Sequence, residues 1–412
     1  MNRVELLAPA GNAERLNTAF RFGADAVYLG LPTMSLRNFA DNFTFFELDD
    51  CTKKAHAVNK RVYVTCNAFA RDKDIAALPD MFRELERISV DAIIVNDPGV
   101  IRVANRVLKH TPLHLSTQAN TQNTEAALFW SDFGVTRIIL ARELSLDEIR
   151  AMRDKLPPDI ELEAFIHGAM CVSYSGRCLL SNYLDGRDGN RGECIQPCRW
   201  SYEIRERGKD GEYLPIEQDS RGTYILNSRD MNMLSILDKV IEAGVSSLKI
   251  EGRMKSVFYV ATVVNAYRMA LDTYYKNIEH GVPYAPNEKI AAELFKASHR
   301  PFCTGFSFKN TELQAPFSTK YISEYEFSAI VIEYDAINKT ALIEQRNRFF
   351  NRDVLSILSP NDVSREFIVN GIANIDGETM DVAPHPQERL IIGCDEPLKT
   401  GDILRKQKVA EE

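Results

Sequence analysis

The sequence of 412 residues has no run of about eighteen consecutive apolar residues, so it predicts no transmembrane helix. The first residues also lack the pattern of a secretory signal peptide, and a cytoplasmic location is therefore the expectation. Basic residues are in the minority, with 50 Lys and Arg against 58 Asp and Glu. This balance argues against a strongly basic nucleic-acid scaffold, although it does not exclude a local basic surface.

Several catalytic motifs are missing as well. There is no H-E-x-x-H pair for zinc-dependent hydrolysis and no G-x-S-x-G turn for a serine nucleophile. The phosphate-binding pattern G-x-x-x-x-G-K-[ST] is absent, which argues against an NTPase. No G-x-G-x-x-G follows the first strand-like segment, so a dinucleotide-binding fold lacks its usual signature.

Short apolar segments alternate with amphipathic ones over most of the chain. The segments between the apolar ones have helical periodicity, as in Ala13–Phe22, Ile75–Ile88 and Leu146–Lys155. Eight strands are predicted, at Val4–Ala8, Asp25–Gly30, Arg61–Asn67, Asp91–Asn96, Leu113–Thr117, Arg137–Ala141, Glu161–Ile166 and Ser247–Glu251. Eight strands alternating with helices favour a TIM-type (β/α)8 barrel over residues 1–315, with an open doubly wound sheet as the alternative.

The barrel prediction also locates a candidate site, because active sites of such barrels lie at the C-terminal ends of the strands. A long excursion, residues 168–245, leaves the seventh strand and is expected to lie on the same rim. Polar or charged residues follow or end several strands and are the candidates for chemistry: Arg37, Asn67, Gln118, Arg142, His167, Lys249, Glu251 and Arg253.

Two groups among these candidates have specific expectations. Lys249, Glu251 and Arg253 alternate along the eighth strand and should share one face. Charges in a barrel mouth need partners or a ligand, so the group is either an ion-pair network or a binding site. His167 is either a hydrogen-bonded structural residue or one that faces substrate.

The remaining third of the chain changes its pattern. Helices are predicted from Ser256 to about Lys276 and at Lys289–Ser298, followed by a linker over Arg300–Lys320. Residues 322–407 then alternate with period two between polar turns. This pattern predicts a small C-terminal all-β domain, a barrel or a sandwich.

Four of the eight cysteines lie in the excursion, at Cys171, Cys178, Cys194 and Cys198. Their spacing is C-x6-C-x15-C-x3-C, without the C-x-x-C knuckles that structural zinc sites usually have. Iron–sulfur clusters accept more varied spacing, so a 4Fe–4S cluster is the favoured ligand and zinc the alternative. Disulfides are not expected in a reducing compartment.

Three separated motifs resemble one known family. They are LLAPAGN near the start, HGAMCVSYSGRCLLSNYLDGRDGNRGECIQPCRW in the excursion, and SLKIEGRMKS at the eighth strand. Together they resemble the collagenase-like peptidase family, U-32, over most of the chain. Within that family the sequence is most similar to the branch that hydroxylates tRNA.

The resemblance implies an enzyme that hydroxylates the wobble uridine of certain tRNAs at C5. It implies a 4Fe–4S cluster, held here by the four cysteines, and prephenate as a small anionic co-substrate. Arginine suits a carboxylate because its fork binds bidentately. The substrate-binding candidates are thus Arg37, Asn67, Gln118, Arg142 and Arg253, and the catalytic candidates are His167, Lys249 and Glu251.

Two other functions stay open at this point. The first is a peptidase, as the family name suggests, with a cysteine nucleophile and His167. The second is a noncatalytic subunit that binds RNA together with a paralogous chain. No membrane partner is expected.

Overall fold

The computed structural model forms two compact units. The first comprises Met1–Phe20, Ala24–Ser256 and Arg300–Tyr321, and the second comprises Arg21–Gly23, Val257–His299 and Ile322–Glu412. The residues that the structure describes are 3–36, 41–171, 173–200, 218–219, 222–223, 228–308 and 321–408, with the side chains of 199, 218–219 and 222–223 excepted.

The first unit is a closed barrel of eight parallel strands. The strands are β1 (Glu5–Pro9), β2 (Ala26–Gly30), β3 (Arg61–Cys66), β4 (Ala92–Val95), β5 (Leu113–Leu115), β6 (Val135–Ile139), β7 (Glu161–Ala169) and β8 (Ser247–Ile250). Each pairs with the next, and β8 pairs with both β7 and β1, which closes the ring. The predicted (β/α)8 barrel is therefore confirmed.

Helices cover the outside of this ring. They are α1 (Ala13–Arg21), α2 (Phe45–Ala57), α3 (Asp72–Ile88), α4 (Pro98–Val107), α5 (Thr124–Asp132), α6 (Leu146–Arg153) and α8 (Leu237–Glu242), with α7 (Leu180–Asp185) in the excursion. Local sequence fixes several helix starts. Thr44 and Ser145 each form a capping box with the glutamate three residues later, and Asp97 caps α4 ahead of Pro98 at its first position.

The barrel interior contains a buried layer of charged side chains. Arg137 lies between two carboxylates, with its Nη1 at 2.6 Å from Glu5 Oε1 and at 3.2 Å from Glu163 Oε2. Lys249 binds the other oxygen of Glu163 at 2.8 Å. Tyr63 donates its hydroxyl to Glu5 at 2.6 Å. Buried charges are costly unless they are paired. Loss of any one partner in this layer would therefore leave an unpaired buried charge and destabilise the barrel.

The excursion starts and ends at the barrel sheet. After β7 the chain passes through the four cysteines, and a short strand, Asp230–Asn232, then runs antiparallel to the end of β7. Residues Phe302–Cys303 pair with this strand in turn. Arg300 is fully buried there, and its Nη2 lies 2.8 Å from Asp230 Oδ1.

The expectation of a linker over Arg300–Lys320 is consequently wrong at its beginning. Arg300–Cys303 belongs to the edge of the barrel sheet, because Asp230 supplies a partner for the buried guanidinium from seventy residues away. Local sequence contains no sign of that pairing. Residues 309–320 lie outside the described residues.

The second unit combines two helices with an antiparallel sheet. The helices are α9 (Val257–Glu279) and α10 (Glu288–Lys296). The strands are β9 (Tyr325–Asp335), β10 (Thr340–Gln345), β11 (Phe349–Phe350), β12 (Val354–Leu358), β13 (Arg365–Ile368), β14 (Ile372–Asn374), β15 (Thr379–Met380), β16 (Val382–Ala383), β17 (Arg389–Gly393) and β18 (Ile403–Gln407). The eight-stranded sheet has the order β13-β12-β18-β9-β10-β17-β14-β15, and β11 pairs with β16.

The C-terminal all-β region is therefore confirmed, and its alternating residues form one apolar core. Ile343, Phe349, Leu390 and Leu404 are fully buried within it. The helices α9 and α10 group with these strands rather than with the barrel. The domain bounds 1–315 and 322–407 stay a prediction. No helix in the described part of the chain combines the length and the apolar character that crossing a membrane requires.

An acid-sensitive ion pair lies in the second unit and leads to a testable prediction. Glu293 of α10 is buried and contacts Arg405, Lys296 and Ser364. Burial alone raises the pKa of Glu293, but these three partners outweigh it and lower the pKa from 4.5 to about 2. Its contribution to the free energy of unfolding is therefore present above about pH 4.5 and disappears as the pH falls toward 2.

We expect Glu293→Gln to lower the free energy of unfolding by roughly 3 kcal/mol at neutral pH, because Arg405 loses its buried partner. The difference between wild type and variant should shrink between pH 4.5 and 2, as measured by denaturant titration at each pH. Glu333→Gln, at an exposed position of β9, is the control and should change little. A difference that stays constant with pH would contradict the assignment.

Candidate active site

A cavity of about 180 Å³ opens at the C-terminal ends of the barrel strands. Ten of the residues singled out in the sequence line it: Asn67, Gln118, Arg142, Lys249, Glu251, Arg253, Cys171, Cys178, Cys194 and Cys198. Parallel strands of a closed barrel end on one rim, so residues far apart in sequence meet there. The predicted site location and the observed cavity coincide.

Two sequence candidates remain, Arg37 and His167. Arg37 lies outside the described residues. His167 is buried away from the cavity lining, and its ring centroid lies 5.4 Å from that of Phe302.

A β-bulge explains the position of His167. Strand β8 pairs Lys249 with Phe165 and then Ile250 with His167, so that Ile166 is an extra residue on β7. Strict alternation would have put His167 on the same face as Phe165, which lines the cavity. The bulge moves His167 to the face of Ile250 instead. Of the two sequence-based interpretations of His167, this position favours a structural residue over one that faces substrate.

Lys249 and Glu251 carry opposite charges at the end of β8. The Lys249 ammonium is bound to Glu163 below the cavity and lies 4.3 Å from the ring centroid of Tyr28. The Tyr28 hydroxyl donates to the Ile250 carbonyl at 3.0 Å and lies 3.4 Å from Glu251 Oε2. Lys249 is thus held by the charged layer, whereas Glu251 sits higher in the cavity wall.

Arg142 lies across the face of an aromatic ring. Its guanidinium carbon is 4.0 Å from the Phe165 ring centroid, and its Nη1 donates to the Ala169 carbonyl at 2.8 Å. Its Nη2 is 4.0 Å from Glu251 Oε2. Its buried Nε has no hydrogen-bond partner among the described residues. The guanidinium is therefore fixed in place and keeps one buried N–H donor without a partner there.

Arg253 is 3% exposed, and three neutral side chains accept hydrogen bonds from it. Its Nη1 donates to Ser35 Oγ at 2.6 Å and to Thr65 Oγ1 at 3.2 Å, and its Nη2 donates to Asn42 Oδ1 at 2.6 Å. Gly30 makes room for this arrangement, because a Cβ there would lie 2.3 Å from Arg253 Nη2. Only glycine permits so close an approach of the guanidinium to β2.

A neutral hydrogen-bonded group occupies the ends of β3 and β5. Asn67 Nδ2 donates to Ser116 Oγ at 3.0 Å and to Gln118 Oε1 at 3.2 Å. Ser116 Oγ also donates to Gln118 Oε1. Ser116 and Tyr28 were not candidates in the sequence, although both lie near the ends of predicted strands. Ser35 comes from a loop, and no sequence signal identifies it.

The cysteine loop is anchored on the barrel rim by its polar groups. Asn120 donates to the Ser175 carbonyl at 3.1 Å, and Arg177 donates to Asn120 at 2.8 Å. Gly176 packs against Gln118, where an added Cβ would approach the side chain to 2.5 Å. These contacts bring the cysteines over the cavity.

A second set of contacts ties the loop to the residues after β3. The Phe69 amide donates to the Asn190 carbonyl at 3.2 Å, and Asn190 Nδ2 donates to the Cys178 carbonyl at 3.0 Å. Arg191 forms an ion pair with Asp74 at 2.9 Å. The loop is therefore held from two sides of the barrel mouth.

The four thiols fit an iron–sulfur cluster by donor type and by location. Cys171 and Cys194 are exposed, Cys178 and Cys198 are half-buried, none is in a disulfide, and all line one cavity. In the described part of the chain, however, no three Cys, His, Asp or Glu side chains lie close enough to hold one metal ion. Binding through all four thiols thus requires the loop to draw the sulfurs together.

The closed barrel and its polar cavity at the strand C-termini place this protein in the class of (β/α)8-barrel proteins with an enzyme-like site. Sequence comparison identifies the family within that class. The profile of Peptidase family U32 matches residues 11–315, and that of the Peptidase family U32 C-terminal domain matches residues 323–405. The chain belongs to peptidase family U32.

Three relatives in this comparison are named for RNA modification. tRNA hydroxylation protein P1 of Bacillus subtilis is 38% identical over 408 residues, covering 98% of this chain and 95% of the relative. tRNA hydroxylation protein P of Escherichia coli is 33% identical, covering 93% and 92%. The 23S rRNA 5-hydroxycytidine C2501 synthase of Escherichia coli is 38% identical over 271 residues, covering 66% of this chain and 40% of the relative.

Proposed function

We propose that this chain is an RNA-modifying hydroxylase that acts on tRNA, converting the wobble uridine to 5-hydroxyuridine with prephenate as co-substrate and a 4Fe–4S cluster as cofactor. The similarity to two tRNA hydroxylation proteins over more than nine tenths of the chain supports the RNA substrate. The observation that carries the proposed chemistry is that four thiols and two arginines line one barrel cavity.

The two arginines provide the proposed site for the anionic co-substrate. Prephenate has two carboxylates, and a guanidinium binds a carboxylate through two parallel charge-assisted hydrogen bonds. Arg142 contributes its Nε, and Arg253 contributes a guanidinium that lines the cavity and is held by hydrogen bonds to Ser35, Thr65 and Asn42. Arg37 remains a proposed third ligand.

The cysteines would hold the cluster at the cavity mouth. A 4Fe–4S cluster supplies one-electron chemistry when bound. Replacing a C5–H bond by C5–OH is a two-electron oxidation, and the hydroxyl-bearing co-substrate is the proposed oxidant. It would give up its hydroxyl oxygen to C5, accept the two electrons with the displaced hydrogen, and leave as the deoxygenated, reduced product. This chain's own residues bind and orient the two reactants and keep water out of the cavity.

Glu251 is the proposed proton acceptor. Its carboxylate lies in the cavity wall, and Tyr28 and Arg142 flank it. Lys249 lies below Glu251, where its ammonium group forms an ion pair with Glu163. We do not include His167 in the machinery, since the bulge removes it from the cavity lining.

The geometry does not favour the peptidase alternative. Ser175 and the four cysteines line the cavity, but no histidine does so among the described residues. A serine or cysteine nucleophile of a peptidase needs an adjacent base, and histidine most often fills that role. A paralogous subunit and a cytoplasmic location remain predictions.

The test is nucleoside mass spectrometry of tRNA from cells that lack this gene and any second copy of it. We expect 5-hydroxyuridine to be absent and to return with the wild-type gene. Arg253→Ala should lower the affinity for the carboxylate co-substrate about ten- to a hundredfold, because it removes charge-assisted hydrogen bonds. Persistence of hydroxylated uridine in the deletion strain would refute the proposal.

Arg253→Lys and Met254→Ala are the matched controls for the arginine. Lysine keeps the charge but loses the fork, so it should restore only part of the activity. Met254 lines the same cavity and is 46% exposed, and its replacement should leave co-substrate binding almost unchanged. Equal effects of all three substitutions would show that Arg253 is not an anion ligand.

A further inference from the structure

The carboxamide of Asn67 is oriented by its neighbours. Asn67 is 8% exposed, lines the cavity, and uses both hydrogens of Nδ2 as donors, to Ser116 and to Gln118. The Gln118 Oε1 that receives one of them is also an acceptor for Ser116. In this arrangement the Nδ2 end of the Asn67 amide faces Ser116 and Gln118.

The oxygen of the same amide differs from the nitrogen in its hydrogen bonding. Asn67 Oδ1 is buried and has no hydrogen-bond partner within the part of the chain that the structure describes. A buried acceptor without a donor is unfavourable, and such groups in folded proteins call for a specific explanation. A ligand that donates one hydrogen bond in the cavity would supply it.

The lining of the cavity suits a flat six-membered ring. Ile94, Ile139 and Phe165 contribute apolar surface to its lining. An enzyme that acts on a base inside a folded RNA has to take the base out of its stack and seat it in such a pocket.

Neutral and charged groups occupy different positions in the cavity lining. The ends of β3 and β5 supply the neutral group of Asn67, Ser116 and Gln118. The residues that follow β6 and β8 supply the charged Arg142, Glu251 and Arg253, of which Arg253 reaches Thr65 in β3. A neutral heterocycle fits the neutral positions, and an anionic co-substrate fits the charged ones.

We propose that the cavity receives an extruded pyrimidine base and that Asn67 Oδ1 accepts the N3–H of uracil, which makes Asn67 the residue that selects uracil over cytosine. Uracil has a hydrogen on N3, whereas cytosine has a lone pair there. The fixed Oδ1 therefore attracts uracil and repels cytosine. The inference rests on the proposed tRNA substrate and adds to it the group that recognises the base.

The test measures binding, independently of turnover. Anticodon stem-loops that carry uridine, cytidine or N3-methyluridine at the wobble position are titrated into the full-length protein, and fluorescence anisotropy reports the affinities. We expect wild type to bind the uridine stem-loop roughly tenfold more tightly than the other two, as loss of one hydrogen bond predicts. Asn67→Ala should reduce this ratio to about one.

Asn96→Ala is the matched control. Asn96 ends the neighbouring strand β4, is also buried, and also has an Oδ1 without a partner among the described residues, but it does not line the cavity. Its replacement should leave the uridine preference intact. Asn67→Gln keeps an amide but displaces its oxygen by one methylene, so it should also lose the preference, and it tests the inference if Asn67→Ala folds poorly.

The outcomes separate the two hypotheses. A wild type that binds the stem-loops without distinguishing uridine from cytidine overturns the base-recognition inference alone. The same holds if Asn67→Ala, or a folded Asn67→Gln, keeps the full preference. A wild type that binds none of the stem-loops overturns this inference together with the proposed tRNA substrate.

Discussion

Replacement of Cys171 by serine is expected to remove iron and sulfide from the protein isolated without oxygen and to abolish tRNA hydroxylation. A serine hydroxyl is a poor ligand for the soft iron of a cluster, and the other three thiols cannot complete the set of four. The measurements are iron and acid-labile sulfide per chain, the visible absorption of the cluster, and nucleoside mass spectrometry of tRNA. Cys178, Cys194 and Cys198 should behave in the same way.

Cys303→Ser provides a matched control for this prediction. Cys303 is a half-buried free cysteine of the barrel unit that does not line the cavity. Its replacement should leave iron content and activity close to those of wild type. Stoichiometric zinc without iron or sulfide in the wild type would contradict the cluster. Full activity of Cys171→Ser would contradict its role as a ligand.

Replacement of Arg137 by methionine is expected to produce the largest loss of stability in the barrel. It leaves Glu5 and Glu163 buried without the guanidinium that lies between them. Breaking a buried ion pair by removing one partner costs about 3–5 kcal/mol. Urea denaturation followed by circular dichroism measures this loss, and thermal unfolding should begin at a lower temperature.

Arg61→Met is the matched control, because Arg61 pairs with the same carboxylate. Its Nη1 lies 3.3 Å from Glu5 Oε2, but its side chain is 60% exposed. Solvent weakens such a pair to at most about 1 kcal/mol. Equal losses for Arg61→Met and Arg137→Met would mean that the buried layer does not stabilise the barrel as inferred.

The pH dependence of the same layer follows from Glu5. Burial raises the pKa of Glu5, but Arg137, Tyr63 and Ser247 outweigh it, and the net pKa is lowered. The ionised carboxylate therefore stabilises the fold at neutral pH, and this contribution is lost on acidification below its ordinary pKa of 4.5. Acid should thus weaken the barrel and the second unit together.

The eight barrel strands could be predicted because each is buried on both faces. All five residues of β1 and of β2 are buried, so the strands read as short apolar runs between amphipathic helices. Strand ends then located Asn67, Gln118, Arg142 and Glu251 on one rim, since parallel strands of a barrel finish on the same side. The period-two pattern of the C-terminal third predicted its antiparallel sheet in the same way.

Other features depend on pairings between distant residues. The sequence around His167 contains no sign of a bulge, which becomes visible only when β7 is aligned with β8. The sequence assigns Arg300 to a linker, whereas the structure shows it in an ion pair with Asp230. The helices α9 and α10 follow the barrel along the chain, yet they group with the C-terminal strands, as the pair of Glu293 and Arg405 illustrates.

The amino-acid sequence by itself therefore determined the barrel, the β-rich second part, the family and the rim on which the cysteines lie, because periodicity and motif spacing are local properties. Tertiary structure alone decided that Lys249 belongs to a buried ion pair, that His167 leaves the cavity lining, and that Asn67 Oδ1 is buried without a hydrogen-bond partner among the described residues. The orientation of a polar side chain depends on which partners the folded chain brings within hydrogen-bond distance. Those partners come from other strands, and their identity is not encoded in the neighbouring residues.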